Sequence, residues 1–225
     1  MILWDIPGYV VGFTTRVGGV SEGVYESLNL TIGTGDDRER VERNRAIACD
    51  ALGLDARRLS FNRQVHSPTV HRAGERGEPG DGLWTDEAGL PMLAMSADCL
   101  PIAVARTDGE RALAVLHAGW KGLSEGVIAA GVAALGDGAK AAIVGPAIGP
   151  CCYEVGEEVS SLFDEDLTRD RKLDLWAAAE RALRRAGVER VDRTDLCTRD
   201  HPELFFSHRR SGRARGVQGV IGAVA

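Results

Sequence analysis

The apolar positions of the chain fall into short continuous runs bounded by Gly, Pro and Asp. A continuous rather than alternating apolar run predicts a strand that is covered on both faces. Strands of this kind are predicted at LPMLAMSAD (90–98), PIAVARTD (101–108), RALAVLHAG (111–119), AAIVGPAIGP (141–150) and VQGVIGAVA (217–225). YVVGFTTR (9–16) and VERVDRTDLCT (188–198) also favour strands, because β-branched and aromatic residues pack well on a pleated surface.

Helical spacing of apolar residues predicts helices between these strands. The segment 36–54 has acidic residues at its start and Gly53 near its end, as helices commonly do. The segment 173–187 is amphipathic, with apolar positions on one side only. Two further helices are predicted over 124–136, capped near Ser124, and over 153–163.

The segment LSFNRQVHSPTVHRA (59–73) alternates in the manner of one strand, and GERGEPGDG (74–82) is typical of a turn-rich loop. No repeat and no low-complexity linker divides the chain. We therefore expect one α/β domain over residues 1–225, with sheets that are covered by helices.

Composition and charge exclude several classes of function. The formal net charge is -6, which argues against a general nucleic-acid binder. The late basic stretches ERALRRAGVER and HRRSGRARG are interpreted as a solvated helix face and a tail-like loop, although a local anion site stays open. Neither a long apolar span nor a signal peptide is found, so we expect no membrane partner.

The chain has five cysteines, at positions 49, 99, 151, 152 and 197. An odd number with two adjacent members does not resemble the disulfide framework of a secreted protein. We therefore expect a cytoplasmic protein whose free thiols are available as ligands or nucleophiles.

Three side chains with metal-binding chemistry occur where a strand gives way to a loop: His66, Cys99 and His117. Two imidazoles and one thiolate suit Zn²⁺, and three protein ligands leave the fourth position open, as in catalytic zinc sites. The dispersed spacing leaves alternatives open. Cys99 could be a buried apolar residue, the histidines could be hydrogen-bonded strand ends, or Cys99 could be a nucleophile with His117 or His66 as its base.

Neighbouring polar residues extend this candidate site. Asp98 could orient a ligand histidine, accept a hydrogen bond from a ribose hydroxyl, or simply form a turn. Arg16 and Lys121 lie in Gly-flanked turns where they could bind an anion. Asp81 is interpreted as a turn former and Gln64 as a structural residue.

Six motifs occur in order along nearly the whole chain: TTRVGGVSEGVYESLNL, NRQVHS, SADCLPI, HAGWKG, GPAIGPCCYEVGEEV, and DLCT followed by FFSHRRSG. Together they resemble the bacterial laccase-domain family of the multicopper polyphenol oxidase type, which is regarded as comprising purine nucleoside phosphorylases with adenosine deaminase activity. The resemblance implies two mixed β-sheets layered between helices (α/β/β/α). It also implies a zinc ion held by His66, Cys99 and His117, the same three residues.

The resemblance further implies phosphorolysis of adenosine, inosine, guanosine and 5'-methylthioadenosine, and hydrolytic deamination of adenosine. Purine nucleosides and inorganic phosphate are then the partners, and whether the protein is a monomer or a dimer stays open. The older family name implies copper oxidation of phenols. We rank Cu²⁺ below Zn²⁺, because multicopper sites need more ligands than five histidines and five scattered cysteines supply.

For this chemistry we expect Asp98, Cys99 and His117 to be catalytic, with Asp98 moving the proton during deamination. Phosphate needs an anion pocket, for which the candidates are Arg16, Lys121 and Arg45, assisted by the turn amides that flank Lys121.

The chain departs from the family pattern near its C-terminus. His208 stands where the family often has Tyr, Ala177–Ala178 where it often has AN, and the arginine of the closing loop is displaced. Cys151 and Cys152 are expected to pack beside the site, with a low-pKa thiol as the alternative. The rival functions are a metal-independent cysteine hydrolase or deamidase that uses Cys99 and His117, and a non-enzymatic partner-binding protein.

Overall fold

Two six-stranded β-sheets lie face to face at the centre of the molecule. The structure, a computed structural model, describes residues 1–225 with the exception of residue 75. Within the described residues the strands are β1 (Ile2–Leu3), β2 (Tyr9–Phe13), β3 (Ser60–Arg63), β4 (Val70–Arg72), β5 (Arg76–Pro79), β6 (Gly82–Thr85), β7 (Met92–Ser96), β8 (Leu100–Arg106), β9 (Leu113–Ala118), β10 (Lys140–Val144), β11 (Thr168–Arg169), β12 (Lys172–Leu173), β13 (Arg190–Arg193) and β14 (Gln218–Val224).

Helices surround the two sheets. In the described part of the chain the α-helices are α1 (Arg38–Asp50), α2 (Trp120–Ser124), α3 (Val127–Ala134), α4 (Glu157–Ser160), α5 (Leu175–Arg185) and α6 (His208–Ser211). Short 3₁₀ turns occupy Gly23–Tyr25, Ala56–Arg58 and Glu165–Leu167. No helix among these residues is long and apolar enough to cross a lipid bilayer.

Both sheets contain parallel and antiparallel pairs. Sheet A has the strand order β1-β2-β14-β7-β3-β5, antiparallel from β1 to β7 and parallel beyond it. Sheet B has the order β13-β10-β8-β9-β6-β4, with parallel pairs at its two edges and antiparallel pairs between them. The strands β11 and β12 form a separate hairpin.

Three apolar clusters separate the layers. One joins α1 to the outer face of sheet A and includes Cys49 and Ile221. The second lies between the sheets and includes Val220, the neighbour of Ile221 on β14, so this strand is covered on both faces. The third packs α3 and α5 on sheet B. The continuous apolar runs correctly predicted covered strands, and the α/β/β/α arrangement in one domain is confirmed.

The prediction of a single strand over 59–73 is wrong. The segment forms β3 and β4 with a loop between them, and that loop contains Pro68, which has no N–H to give to a ladder. The predicted loop over 74–82 is also wrong, because its described residues include β5 and the first residue of β6. β5 is an edge strand that pairs with β3 alone, where Pro79 is tolerated. Position 75, within the same predicted loop, lies outside the described residues.

The helix predictions hold for the segments 36–54 and 173–187, which contain α1 and α5. α1 begins after Asp37, whose side chain accepts a hydrogen bond from the Arg40 N–H. The predicted helix over 124–136 is instead divided into α2 and α3 by Gly126, at φ 96°. Ser124 does not cap α3, since its hydroxyl donates to the Lys121 carbonyl inside α2. The predicted helix over 153–163 is reduced to α4.

Candidate metal centre and the cavities beside it

Strand pairing explains why the sheet brings Cys99 and His117 together. β8 and β9 are antiparallel, with Leu100 opposite Ala118 and Pro101 opposite His117. Cys99 comes directly before β8, and His117 is the penultimate residue of β9. The start of one strand and the end of the next therefore meet at the same edge of sheet B.

His66 reaches the same place from the loop between β3 and β4. Its backbone is in the left-handed region at φ 58°, which non-glycine residues seldom adopt. The Asp81 carboxylate holds this turn, because its Oδ2 accepts the N–H groups of Val65 at 3.1 Å and Ser67 at 2.7 Å, and the Ser67 hydroxyl at 3.0 Å. An internal carboxylate thus fixes an otherwise unfavourable conformation.

The ligand atoms of the three predicted metal residues lie within 4.8 Å of one another. The Cys99 Sγ is 3.8 Å from the His66 Nε2, and the two imidazole rings are 4.8 Å apart between centroids at an angle of 82°. His117 is buried, Cys99 is half-buried and His66 is exposed. The group therefore opens to solvent on one side, as a three-ligand site with a free fourth position requires.

Asp81 also orients His117. The His117 Nδ1–H donates to the Asp81 Oδ1 at 2.8 Å, and the His117 backbone N–H donates to the Asp81 carbonyl at 2.7 Å. This leaves Nε2 as the imidazole atom that faces Cys99. A carboxylate that fixes the tautomer of a ligand histidine is the usual companion of a metal-binding imidazole.

This role of Asp81 has no signal in the sequence, where the residue is interpreted only as a turn former. The residue comes directly before β6, whose first residue pairs with Leu116 of β9. Only the pairing of β6 with β9 places Asp81 beside His117. No spacing along the chain indicates that Asp81 lies beside His117. The role of orienting a ligand histidine, which the sequence suggests for Asp98, belongs to Asp81.

Charge coupling shifts the pKa values of this group. Burial alone would raise the pKa of the Cys99 thiol, but His117 and His66 outweigh it and lower the pKa from 9.0 to about 6. Burial alone would lower the pKa of His117, but Cys99 and Asp81 outweigh it and raise the pKa from 6.5 to about 9. Without a metal ion, the pair is therefore a thiolate and an imidazolium at neutral pH.

Burial would likewise raise the pKa of Asp81, yet hydrogen bonds from His117, Ser67 and Val65 hold it well below its usual range. The carboxylate therefore stays ionised and accepts hydrogen bonds through both of its oxygens.

Gly119 packs against the ligand side chains so closely that no Cβ atom fits at this position. A Cβ atom at this position would lie 2.9 Å from the Cys99 Sγ and 2.9 Å from the His66 Cδ2. The backbone φ is −78°, which any residue can adopt, so the requirement for glycine arises from the close approach and not from the conformation. The glycine in HAGWKG thus leaves the space between the ligand atoms free.

Two cavities meet at the ligand residues His66 and Cys99. One has a volume of about 560 Å³ and the other of about 400 Å³, and His66, Cys99 and Arg215 line both. Apolar side chains of Phe61 and Met95 form part of the wall of the larger cavity. The smaller one is bounded by residues of four further segments: Trp120, Ile148, Tyr153, Leu175, His208 and Arg209.

Asp98 faces the smaller cavity but has both carboxylate oxygens engaged. Its Oδ1 accepts the Thr198 hydroxyl and its Oδ2 accepts the Arg209 backbone N–H, each at 2.6 Å. The residue is 7% exposed and adopts φ 89°. Asp98 therefore ties the start of β8 to two distant segments, of which the one with Arg209 lines the same cavity.

The predicted anion-binding residues are not all at the cavities. The Arg16 guanidinium donates to the carbonyls of Glu26 and Pro202, and it contributes to the lining of neither cavity. Lys121 is exposed, with its Nζ 3.8 Å from a Glu125 oxygen, and it is also outside both linings. The structure therefore does not bring either residue to the centre.

Arg45 does line the larger cavity, and two of its donors are already used. Its Nε donates to the Leu30 carbonyl at 2.9 Å and its Nη1 pairs with Glu42 at 2.8 Å. The guanidinium also lies over the Phe61 ring, 4.2 Å from the centroid. Arg45 therefore shapes the wall of the cavity.

The segment HRRSGRARG is mostly exposed, as predicted, but it is not a tail-like loop. It contains α6 and leads directly into the buried strand β14. Arg209 lies over the Tyr153 ring at 5.1 Å, and Arg210 donates to the carbonyls of Thr198 and Phe205. Arg215 lines both cavities, and among the described residues its Nε has no hydrogen-bond partner.

Known proteins are similar to this chain over nearly its whole length. The family described as multi-copper polyphenol oxidoreductase laccase matches residues 10–224. The purine nucleoside phosphorylase YfiH of Escherichia coli is 36% identical over 225 residues, which cover 92% of this chain and 91% of the relative. The purine nucleoside phosphorylase SCO2081 of Streptomyces coelicolor is 36% identical over 234 residues, covering 96% of each chain.

Two crystal structures have the same fold. The Neisseria meningitidis protein NMB0706 has a TM-score of 0.88 at 35% identity, covering 97% of this chain and 95% of its own. YlmD of Geobacillus stearothermophilus has a TM-score of 0.89 at 31% identity, covering 97% of this chain and 93% of its own. The residues matched span nearly the whole described fold, and the chain belongs to the multi-copper polyphenol oxidoreductase laccase family.

Proposed function

We propose that the protein is a purine nucleoside phosphorylase whose reaction takes place where the two cavities meet. The observation that carries the proposal is the junction itself: a three-ligand centre beside an arginine, Arg215, that lines the cavities on both sides. The names of two relatives, each 36% identical over nearly the full chain, support it. A phosphate oxygen attacks C1′ of the ribose, the C1′–N9 bond breaks, and the purine leaves with its electron pair and takes up a proton.

The donor set of the centre fits Zn²⁺ better than Cu²⁺. Two imidazoles and one thiolate, with His117 oriented by Asp81 and space left by Gly119, form the pattern of a catalytic zinc site. His66, Cys99 and His117 would hold the ion. When bound, the ion supplies Lewis acidity at the position that the three protein ligands leave open.

We assign the phosphate to Arg215 in place of Arg16 and Lys121. Arg215 lines both cavities next to Cys99. Its Nη1 donates to the carbonyls of Gly212 and Arg213, and the guanidinium has further N–H groups to give to a phosphate oxygen. Arg45 stabilises the opposite wall of the larger cavity through its contacts with Leu30 and Glu42.

The larger cavity would take the nucleoside, because a volume of about 560 Å³ is in the range of small-molecule sites and its wall includes apolar side chains. Adenosine, inosine, guanosine and 5'-methylthioadenosine are the proposed substrates, and deamination of adenosine is the proposed second reaction. Asp98 holds the cavity wall in place through Thr198 and Arg209, so we now propose it as a positioning residue. The free cysteines favour a reducing, cytoplasmic setting.

The test is to incubate the zinc-loaded protein with adenosine, with and without inorganic phosphate, and to separate the products. We expect adenine and ribose 1-phosphate only when phosphate is present. Arg215→Ala should raise the KM for phosphate by about 10- to 100-fold, as expected for the loss of a charge-assisted hydrogen bond. Arg213→Ala, at an exposed position of the same loop, is the matched control. Adenine formed at equal rates without phosphate would contradict the proposal.

A cysteine hydrolase remains the second candidate, favoured by the thiolate–imidazolium pair of Cys99 and His117. The same incubation separates the two functions. A hydrolase of this kind would keep its activity after chelation of metal and lose it on alkylation of Cys99, whereas the phosphorylase should lose activity on chelation and recover it with Zn²⁺.

A further inference from the structure

A second group of metal-ligating side chains lies outside the centre described above. Cys151, Cys152, Cys197 and Asp200 each place a ligand atom within 4.8 Å of the other three. The Cys151 and Cys152 thiols donate to the two Asp200 carboxylate oxygens, each at 3.0 Å, and none of the four residues lines either cavity. We call these four residues the cysteine cluster.

Parallel strand pairing assembles the cysteine cluster. β10 and β13 run side by side, so the segments that follow them leave the same edge of sheet B. The pairing continues beyond both strands, where Ala147 bridges to Cys197 and the Thr198 N–H donates to the Ala147 carbonyl at 3.1 Å. The turn that contains Cys151 and Cys152 is thereby brought against Cys197 and Asp200.

The donor atoms of the cysteine cluster indicate which metal ion it would bind. All three cysteines are free, and no bridge joins them. Thiolates prefer Zn²⁺ and other soft ions over Mg²⁺ or Ca²⁺. A tetrahedral zinc ion with Zn–S bonds of about 2.3 Å places its donors about 4 Å apart or less, a spacing that small side-chain adjustments can reach here.

We propose that the cysteine cluster binds a structural zinc ion through three thiolates and one carboxylate. Four protein donors leave no position open for substrate, unlike the three donors of the centre at His66, which is why the site is structural. On binding, three S–H bonds break and three protons pass to solvent, while Asp200 exchanges two S–H···O hydrogen bonds for a bond to the metal. The proposal is independent of the proposed phosphorylase activity.

The cysteine cluster lies next to residues of the smaller cavity, so a bound ion would affect the wall of that cavity. Cys152 precedes Tyr153, which lines the smaller cavity, and Cys197 precedes Thr198, which donates to Asp98. Zinc would join the two segments directly, where the structure has hydrogen bonds through Asp200 and a Gly149 N–H donated to the Cys197 Sγ at 3.3 Å.

The experiment measures the zinc content of a chain in which the centre at His66, Cys99 and His117 has been disabled. Cys99→Ala protein is reduced, loaded with Zn²⁺ and desalted, and we expect about one zinc per chain, against about two for the unmodified chain. Adding Cys151→Ser and Cys152→Ser should remove the remaining ion. Adding Cys49→Ala instead, which removes a buried thiol far from the cluster, should leave it in place.

Cobalt provides a measurement that needs no change in the cluster itself. Co²⁺ added to the reduced Cys99→Ala chain should give thiolate-to-cobalt charge transfer in the near ultraviolet and the intense visible bands of tetrahedral cobalt. No charge transfer at excess Co²⁺, or zinc retained after the double serine substitution, would overturn the proposal. A disulfide among Cys151, Cys152 and Cys197 that persists in protein purified under reducing conditions would overturn it as well.

Discussion

Single residues decide how well the centre is organised, and Asp81 contributes most. One carboxylate oxygen fixes the tautomer of His117, and the other holds the backbone turn that carries His66. Two ligands, one on a strand of sheet B and one in the loop between β3 and β4, thus depend on one side chain that is 1% exposed. Its effect on the metal acts through these two contacts, since it is not itself one of the three ligands.

Asp81→Asn should lower zinc affinity by about 10- to 100-fold, the usual effect of losing such a partner. If the Asn oxygen faces His117, its NH₂ group meets the N–H groups of Val65 and Ser67. If the NH₂ group faces His117, the imidazole must carry its proton on Nε2, the atom that the metal needs. Competition with a chromophoric chelator measures the change.

Asp86→Asn is the control for Asp81→Asn, since Asp86 is an exposed carboxylate paired with Arg72. It should leave the zinc affinity unchanged. An equal affinity for zinc in the Asp81→Asn and unmodified chains would show that the carboxylate does not orient the ligands.

Gly119→Ala should reduce metal binding while the fold is retained. The new methyl group would lie 2.9 Å from both the Cys99 Sγ and the His66 Cδ2, so one ligand must move away. The backbone conformation suits alanine, so thermal unfolding of the metal-free chain should be little changed. Undiminished zinc binding by a folded Gly119→Ala chain would mean that the ligands close on the metal from another side.

The reactivity of Cys99 should depend on pH in a characteristic way. In chelator-treated protein the alkylation rate should rise through pH 6 and level off above it, since the pKa of this thiol is lowered to about 6. Cys49 and Cys152, whose pKa values burial raises to about 11, should react slowly at neutral pH. Peptide mass spectrometry after timed iodoacetamide treatment identifies each site.

His117→Gln should shift the inflection for Cys99 upward, because it removes the cation that stabilises the thiolate while burial remains. A rate for the unmodified chain that rises only near pH 9, as for an ordinary thiol, would contradict the ion pair.

At this scale the sequence indicates the ligands but not their partners. His66, Cys99 and His117 stand out because their residue types are uncommon and each follows or precedes an apolar run. Asp81 and Arg215 resemble ordinary turn and loop residues, and their positions depend on strands that pair across the fold. Local pattern contains no information about such pairing.

At the scale of elements, close packing of α3 on β9 supports the strand that carries His117. Gly131 of the helix faces Leu116, which is fully buried, and a Cβ at Gly131 would lie 2.7 Å from both Leu116 methyl groups. The helix axis can therefore approach the sheet closely only with glycine at this position.

Gly131→Ala should lower the free energy of unfolding by about 1–2 kcal/mol, because overpacking outweighs the gain in helix propensity. Urea unfolding measures the difference. In a Leu116→Ala background the clash is relieved, so the same substitution should become neutral or stabilising there. A destabilisation of equal size in both backgrounds would show that Leu116 is not the cause.

A helix whose caps and apolar spacing agree can be predicted from the sequence. A segment that contains two strands and the loop between them cannot be divided correctly from its pattern. α1 and α5 have capping residues and helical spacing that agree with each other. The loop between β3 and β4 keeps an alternating pattern through Gln64, whose side chain instead bonds both backbone groups of Met95, each at 2.7 Å. Hydrogen bonds from the Gln64 side chain replace backbone pairing with β7, so β3 ends here although the hydrophobic pattern continues.

At the scale of the whole molecule, the two ends of the described chain meet inside sheet A. β14 lies between β2 and β7 and pairs with both, and the Gly219 N–H donates to the Thr14 hydroxyl at 3.0 Å. The layers could be expected from the covered strands, but this strand order could not, since partners 205 positions apart share no local signal.

A chain that ends at residue 217 should fail to unfold cooperatively, because removal of β14 leaves β2 and β7 without their common neighbour. Circular dichroism during urea titration, together with binding of an apolar dye, reports the loss. Removal of Ala225 alone, an exposed residue beyond the strand, is the control. Cooperative unfolding of the shortened chain would show that sheet A closes without its middle strand.

The central place of β14 has a consequence for biosynthesis. Residues 218–224 leave the ribosome after every other strand of sheet A, so the facing edges of β2 and β7 stay open throughout translation of the intervening chain. Open strand edges are the surfaces through which nascent chains associate wrongly. The protein therefore completes its fold only after synthesis of β14, and chaperones that shield apolar edges should raise its yield more than slower translation does.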